Sequence, residues 1–169
     1  MRPSSSLSAG FTLIELLIVL TISAVLASFA APALSDWISR QNVQDAASDF
    51  HQALSLARNE ARARGENIGV VPRDGETWNS GWEVHRVEDS GNELLMQYSA
   101  PTETQLDIDF SSGWGNRIIF LPGGFARGAD GVSLLRGQVR FSAGHHERSV
   151  CLSALGMVRS VRSRTCREP

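Results

Sequence analysis

The chain has no lysine: all 16 of its basic residues are arginine. A nucleotide-binding phosphate loop needs a lysine after its glycines, and none follows Gly123-Gly124, so this class of site is excluded. The Gly-x-Ser-x-Gly segment of serine hydrolases is also missing. The two cysteines cannot form a zinc site by themselves, and His145-His146-Glu147 has no further ligand group at a recognisable spacing. We therefore predict no catalytic residue, no cofactor and no metal site, and expect a protein that is not an enzyme.

Charge is scarce near the N-terminus. Between residues 11 and 34 the only charged side chain is Glu15. A helix of these 24 residues would be about 36 Å long, enough to cross a bilayer core of roughly 30 Å. A carboxylate within such a helix costs about 2.5–3.5 kcal/mol on insertion scales, which indicates a specific partner. If the chain were cut after Gly10, Glu15 could neutralise the free α-amino group of Phe11 in a neighbouring subunit.

The order of features at the N-terminus is distinctive. A short polar leader ends in Gly10, Phe11-Thr12-Leu13-Ile14-Glu15 follows, and an apolar helix continues from there. This order resembles the N-terminus of the type IV pilin-like family, the pilins and the pseudopilins of type II secretion. The resemblance implies that a prepilin peptidase cuts between Gly10 and Phe11, that Phe11 is N-methylated, and that Glu15 acts in assembly. Pro32 falls where many family members have a proline that bends the helix.

Two other interpretations of this N-terminus stay open. In the first it is an ordinary secretory signal peptide, with Arg2 as the basic region, residues 11–27 as the apolar region and cleavage near Ala30. Glu15 inside the apolar region and the lack of a basic residue next to it count against this interpretation. In the second it is a plain membrane anchor in which Glu15 has no role.

The helix is expected to continue past residue 34. Apolar residues recur at helical spacing and predict one buried stripe, formed by Leu34, Trp37 or Ile38, Val43, Ala46, Ala47, Phe50, Ala53, Leu54, Ala57 and Ala61. Arginines crowd the last turns and Gly65 supplies a stop. The predicted parts are a cleaved leader (1–10), a transmembrane or filament-core helix (11–34), its amphipathic continuation (35–65) and a β-rich periplasmic domain (66–169).

Short β-rich segments follow Gly65. Alternating patterns between turn residues predict strands near 68–72, 82–87, 93–98, 105–110, 117–121, 138–142, 149–153 and 157–161. The three tryptophans in this region, Trp78, Trp82 and Trp114, are expected in the core or at its rim. The predicted fold class is α+β, a long N-terminal helix packed against antiparallel sheets.

Three segments of the chain after residue 56 indicate a particular branch of the pilin-like family. They are Ala-Arg-Asn-Glu-Ala at 57–61, Ile-Ile-Phe-Leu-Pro-Gly-Gly at 118–124 and Ser-Ala-Leu-Gly at 153–156. Together they resemble the GspH/FimT family of minor pseudopilins. The resemblance implies a structural subunit of a type II secretion pseudopilus or of a type IV pilus priming complex. Its partners would be the prepilin peptidase, other pilins or pseudopilins, and the inner membrane, with the N-terminus cytoplasmic and the domain periplasmic.

The C-terminal arginines raise an alternative function. Some FimT-type proteins bind DNA in natural transformation through a Gly-Arg-x-Arg motif, and the similar segment here is Gly156-Met157-Val158-Arg159. Met157 replaces the first arginine, Arg159 matches the second, and further arginines follow at Arg162, Arg164 and Arg167. Such side chains could hold DNA phosphates without reading sequence. The other interpretation is a basic edge that blocks strand pairing or meets an acidic neighbouring subunit.

Two cysteines flank this segment. In an oxidising compartment such as the periplasm, Cys151 and Cys166 are expected to form a disulfide that fixes the basic tail. A loop of this size would stabilise the fold by roughly 3 kcal/mol.

Charge is segregated along the chain although the net charge is only −2. Residues 66–109 contain ten acids and two arginines, whereas residues 136–169 contain seven arginines and two acids. Either the two halves of one domain attract each other, or the basic half binds a polyanion.

Overall fold

The computed structural model describes residues 11–88, 91–99, 106–111, 114–162 and 165–166, apart from the side chains of residues 29–33 and of Glu88. The chain divides into two compact units, Met1–Ile38 and Ser39–Pro169. One helix, α1, runs from Leu13 to Arg64. It begins two residues later than expected because Thr12 caps it: the Thr12 hydroxyl accepts a hydrogen bond from the Glu15 amide at 3.2 Å.

Gly65 ends the helix as predicted. Its amide donates to the carbonyl of Ala61 at 3.0 Å, and its φ of +70° is the left-handed conformation that glycine adopts without a steric penalty. The chain can therefore turn directly into the first strand.

In the first unit, every described side chain from residue 11 to residue 28 is exposed. These include large apolar side chains such as Leu13, Ile14 and Leu20. The helical backbone continues through Pro32, whose side chain lies outside the described residues. Within the described part of the chain, no helix combines the length and the apolar character needed to span a membrane.

The second unit contains two antiparallel sheets. The strands are β1 (Ile68–Pro72), β2 (Gly81–Glu88), β3 (Gly91–Ser99), β4 (Asp107–Phe110), β5 (Ile118–Phe120), β6 (Ala126–Arg127), β7 (Gly137–Ala143), β8 (His146–Leu152) and β9 (Val158–Val161). The larger sheet has the order β3-β2-β1-β5-β6 and the smaller has the order β4-β7-β8-β9. A short 3₁₀ turn at Trp78–Ser80 precedes β2. The predicted α+β class, a long helix against antiparallel sheets, is confirmed.

The core of this unit forms around the helix. The predicted stripe is buried from Val43 to Ala61, whereas its first positions are exposed, at Leu34 and at both alternatives Trp37 and Ile38. Phe50 is fully buried, and its ring centroid lies 5.0 Å from that of Trp82 and 5.7 Å from that of Phe141. The edge-to-face contact with Trp82 of β2 and the tilted contact with Phe141 of β7 join the helix to both sheets. The three expected core tryptophans are all buried.

Two details of the sheets differ from the prediction. Strand β6 was not predicted, because two residues are too few to show a period-two pattern. Strand β8 begins at His146, three residues before the strand predicted near 149–153. His146 and Glu147 pair with Ala143 and Ser142 of β7.

Candidate functional site

Two tight turns meet beside the helix at Arg58. The first joins β5 to β6, and the amide of Gly124 donates to the carbonyl of Leu121 at 2.7 Å. The second joins β8 to β9, and the amide of Gly156 donates to the carbonyl of Ser153 at 2.9 Å. Arg58 donates from Nε to the carbonyl of Gly124 and from Nη2 to the carbonyl of Leu155, both at 3.3 Å. The three segments that carry the resemblance to GspH/FimT proteins therefore meet at one guanidinium group.

Gly156 has a packing role at this junction. Its φ is +73°, and a Cβ atom built on it would overlap the carbonyl oxygen of Gly124. The glycine that begins the Gly156-Met157-Val158-Arg159 segment is therefore required by the contact between the two turns. Met157, which replaces the first arginine of the motif, is 54% exposed.

Arg159 lies on the outer face of the smaller sheet. It pairs with Cys151, which pairs in turn with Gln138, and residues paired across strands point to the same face. Gln138, Cys151 and Arg159 thus form a row across three strands. The disulfide between Cys151 and Cys166, with Cα atoms 5.8 Å apart, brings the chain after β9 back to this row. The amide of Cys166 donates to Oε1 of Gln138 at 2.7 Å, which fixes the tail at a second point.

A groove of about 1060 Å³ lies along this row. Arg136 and Arg159 contribute its two positive charges, and Ser111 and Ser153 contribute hydroxyl groups. No carboxylate is among the described residues that line it. The groove therefore favours an anion.

Arg162 does not lie on the outer face with Arg159. Ser149 pairs with Val161, so Arg162 follows the strand at the position opposite Arg148. Arg148 pairs with Phe141 and so lies on the core face of the sheet, where its Nη2 donates to Oε1 of Gln44 at 3.4 Å.

Arg40 completes a group of three arginines on this side, which we call the basic cluster: Arg40, Arg148 and Arg162. Arg40 is one helical turn before Gln44 and therefore shares its face of the helix. Burial lowers the pKa of Arg148, and the charges of Arg162 and Arg40 lower that pKa further. Arg148 stays protonated at neutral pH because an arginine does not lose its proton in proteins.

The C-terminal arginines that the sequence suggested as one DNA-binding group therefore do not all lie on one face of the sheet. Arg159 lies on the outer face, whereas Arg162 lies next to Arg148 of the core face. Arg164 and Arg167 lie outside the described residues. Sequence reasoning did not single out Arg40, Arg136 or Arg148 as site residues, and it included Arg136 and Arg148 only among the seven arginines of the basic half.

The acidic half (residues 66–109) and the basic half (residues 136–169) are joined by an ion pair within the domain. Arg140 of β7 contacts Asp109 of β4 at 2.5 Å, and this pair joins the basic half to the acidic half. In the acidic half, Arg86 lies 3.0 Å from Glu93 and 3.5 Å from Glu66. Exposed pairs of this kind contribute about 0–1 kcal/mol each, so they orient the strands more than they stabilise them.

At the N-terminus the structure describes Phe11 and Glu15, whereas Gly10 lies outside the described residues. Both described side chains are exposed. Thr12 and Glu15 have the spacing of a helix capping box, a local role that sequence reasoning missed. The cap places Glu15 in the first helical turn, where the helix dipole favours a negative charge.

Comparison with known sequences identifies two family models. The one described as "Type II transport protein GspH" matches residues 46–156, and the one described as "Prokaryotic N-terminal methylation motif" matches residues 5–31. The methylation motif implies anchoring in the inner membrane by the N-terminal helix.

Curated fimbrial proteins are similar as well. A type IV major fimbrial protein FimA of Dichelobacter nodosus is 54% identical over 43 residues, which are 25% of this chain and 27% of that protein. The chain thus spans about a quarter of the length of such relatives. A second FimA of the same organism is 31% identical over 113 residues, 64% of this chain and 70% of that protein.

Solved structures with the same fold include the type IV minor pilin FimU of Pseudomonas aeruginosa, with a TM-score of 0.61 and 18% identity over 78% of this chain and 99% of that chain. The minor pseudopilin EpsH of Vibrio cholerae gives a TM-score of 0.53 and 16% identity over 72% of this chain and 97% of that chain. At these identities the likeness concerns the fold. The family match and these pilin-like neighbours agree with the expectation that the chain is not an enzyme. The chain therefore belongs to the GspH family of pilin-like proteins.

Proposed function

We propose that this protein is a minor subunit of a thin filament, either the pseudopilus of a type II secretion system or the complex that primes a type IV pilus. A prepilin peptidase removes residues 1–10, and Phe11 becomes the N-methylated first residue. Residues 11–34 hold the protein in the inner membrane until assembly moves them into the filament core. The domain from residue 66 onward lies on the periplasmic side.

One observation carries this proposal: residues 11–28 hold a single carboxylate, Glu15, and all of their apolar side chains are exposed. An apolar surface of this extent needs lipid or other apolar helices to cover it. Once covered, the carboxylate needs a positive partner, because an unpaired buried charge is strongly destabilising. The amino group of Phe11 in the adjacent subunit supplies that charge.

Processing can be tested by mass spectrometry of the purified full-length product. We expect a chain that begins at Phe11 with one added methyl group. Gly10→Val should leave the leader in place and give a larger product, since a branched side chain blocks cleavage. Gly10→Ala is the conservative control and should be cut at least in part. A wild-type chain that begins near residue 31 would instead support the signal-peptide interpretation.

The machine that uses the subunit can be identified by deleting the gene. Loss of exoprotein secretion with normal pili would assign the subunit to the pseudopilus. Loss of pili with normal secretion would assign it to the pilus priming complex.

A second candidate function, DNA capture in natural transformation, is favoured by the groove on the outer face. Arg136 and Arg159 both line it, together with the hydroxyl groups of Ser111 and Ser153. Arg136→Ala with Arg159→Ala should weaken binding of duplex DNA to the full-length protein and make the slope of log affinity against log salt shallower by about 2, one per phosphate contact. Arg73→Ala with Arg117→Ala removes the same charge from exposed positions outside the groove and should change neither quantity. Absence of wild-type binding at low salt would remove this candidate.

A further inference from the structure

The basic cluster brings together three arginines from three parts of the fold. Arg40 is on α1, Arg148 is on β8 and Arg162 directly follows β9. Arg40 and Arg162 are exposed, and Arg148 is half-buried. Among the residues that the structure describes, none of the three forms an ion pair with a carboxylate. Folding therefore gathers positive charges without neutralising them.

Three neighbouring polar side chains form no ion pair with the cluster among the described residues. Gln44, which accepts the hydrogen bond from Arg148, is neutral. Asp45 accepts a hydrogen bond from Gln41 at 2.9 Å. Glu147 precedes Arg148 on the same strand, so its side chain points to the opposite face of the sheet. A bound anion with several oxygens would satisfy the cluster, and arginine binds phosphate in a bidentate manner.

The length of chain between the cluster and the apolar segment restricts where such a phosphate can come from. Arg40 is six residues after Leu34, which is about 9 Å along a helix. Trp37 lies between them and is 60% exposed, and exposed tryptophans are enriched at the membrane surface. The headgroup layer adds roughly 5–7 Å on each side of the hydrocarbon core. The long side chain of Arg40 can therefore extend back to the lipid phosphates, whereas DNA must arrive from solution.

We propose that the basic cluster of Arg40, Arg148 and Arg162 binds the phosphates of anionic lipids at the membrane surface. The proposal rests on the proposed function, because it requires residues 11–34 to lie in the bilayer. Bound lipid holds the domain against the surface before assembly. Leaving the membrane for the filament then breaks these contacts, so extraction is opposed by the anionic lipid.

The test uses the full-length protein purified in a mild non-ionic detergent and titrated with mixed micelles that contain phosphatidylglycerol or phosphatidylcholine. Wild-type protein is expected to prefer phosphatidylglycerol. Arg40→Gln, Arg148→Gln and Arg162→Gln combined should lower the affinity for it by about a hundredfold, at roughly fivefold per arginine. The charge-matched control combines Arg64→Gln, Arg73→Gln and Arg117→Gln, three exposed arginines outside both the cluster and the groove, and should keep the wild-type affinity.

The remaining outcomes would overturn the proposal. Equal affinity for the two lipids would do so, as would an equal loss in both triple variants. Binding of duplex DNA that the cluster variant abolishes, without any lipid preference, would assign the cluster to nucleic acid instead. Retention in neutral phosphatidylcholine vesicles after carbonate extraction tests the anchor separately: a retained protein with no phosphatidylglycerol preference refutes only the lipid site, and a released protein refutes the anchor.

Discussion

Glu15→Ala is expected to lower incorporation of the protein into filaments at least about a hundredfold while leaving the unassembled chain in the membrane. The alanine removes a charge that burial disfavours, so insertion becomes easier. In the assembled filament the same change leaves the amino group of a neighbouring Phe11 buried without a counter-charge, which costs about 3–5 kcal/mol. The measurement is the amount of variant in sheared filaments relative to the membrane fraction.

Thr12→Ala is the matched control for this prediction. It removes the hydroxyl that caps the helix and keeps the Glu15 carboxylate. Loss of a cap of this kind costs about 1 kcal/mol, so incorporation should fall much less than in Glu15→Ala. Similar losses in the two variants would show that the residue pair acts by capping alone, and the charge-pairing role would be refuted.

Gly156→Ala should destabilise the domain by about 3 kcal/mol. Part of this cost is conformational, because the position has a φ of +73°. The larger part is steric: the added Cβ overlaps the carbonyl oxygen of Gly124, which is backbone and cannot rotate away. If Gly124 moved, Arg58 would lose one of its acceptors. Denaturant unfolding of the full-length protein in mild detergent measures the change.

Gly144→Ala separates the two contributions. Gly144 has a φ of +60° in the turn between β7 and β8, and no atom lies within 4 Å of a Cβ built there. Only the conformational cost of about 1–2 kcal/mol should remain. If both variants lost the same stability, the close contact between the turns would have no energetic importance.

Patterns that act over short distances were readable in the sequence. The stripe from Val43 to Ala61 repeats with the period of a helix, and Gly65 follows the arginines that favour a helix end, so the buried face and its end were both predictable. Strand β1 matches its predicted range because turn residues bound it on both sides. The exposure of Trp37 and Ile38 was missed. Periodicity shows which face of a helix is apolar, but it does not show at which residue the sheets begin to pack against that face.

The arrangement of the arginines was not readable in the same way. Arg58 and Gly124 are 66 residues apart, and Arg148 and Gln44 are 104 residues apart, so nothing local indicates that they meet. Arg159 and Arg162 look like one strip in the sequence. They lie on opposite faces because residues three positions apart along a strand point to opposite sides of the sheet. The register between β8 and β9 then determines which residue of β8 lies opposite each arginine.

The covalent link from Cys166 to Cys151 also determines how the fold would respond to mechanical load. Strand β9 lies wholly inside the ring that this link closes, with the Ser153–Met157 turn on one side and Cys166 on the other. Tension applied beyond Cys166 would pass through sulfur directly to β8, an inner strand held by hydrogen bonds on both sides. The edge strand β9, which would otherwise be the first to separate from the sheet, therefore carries none of this tension.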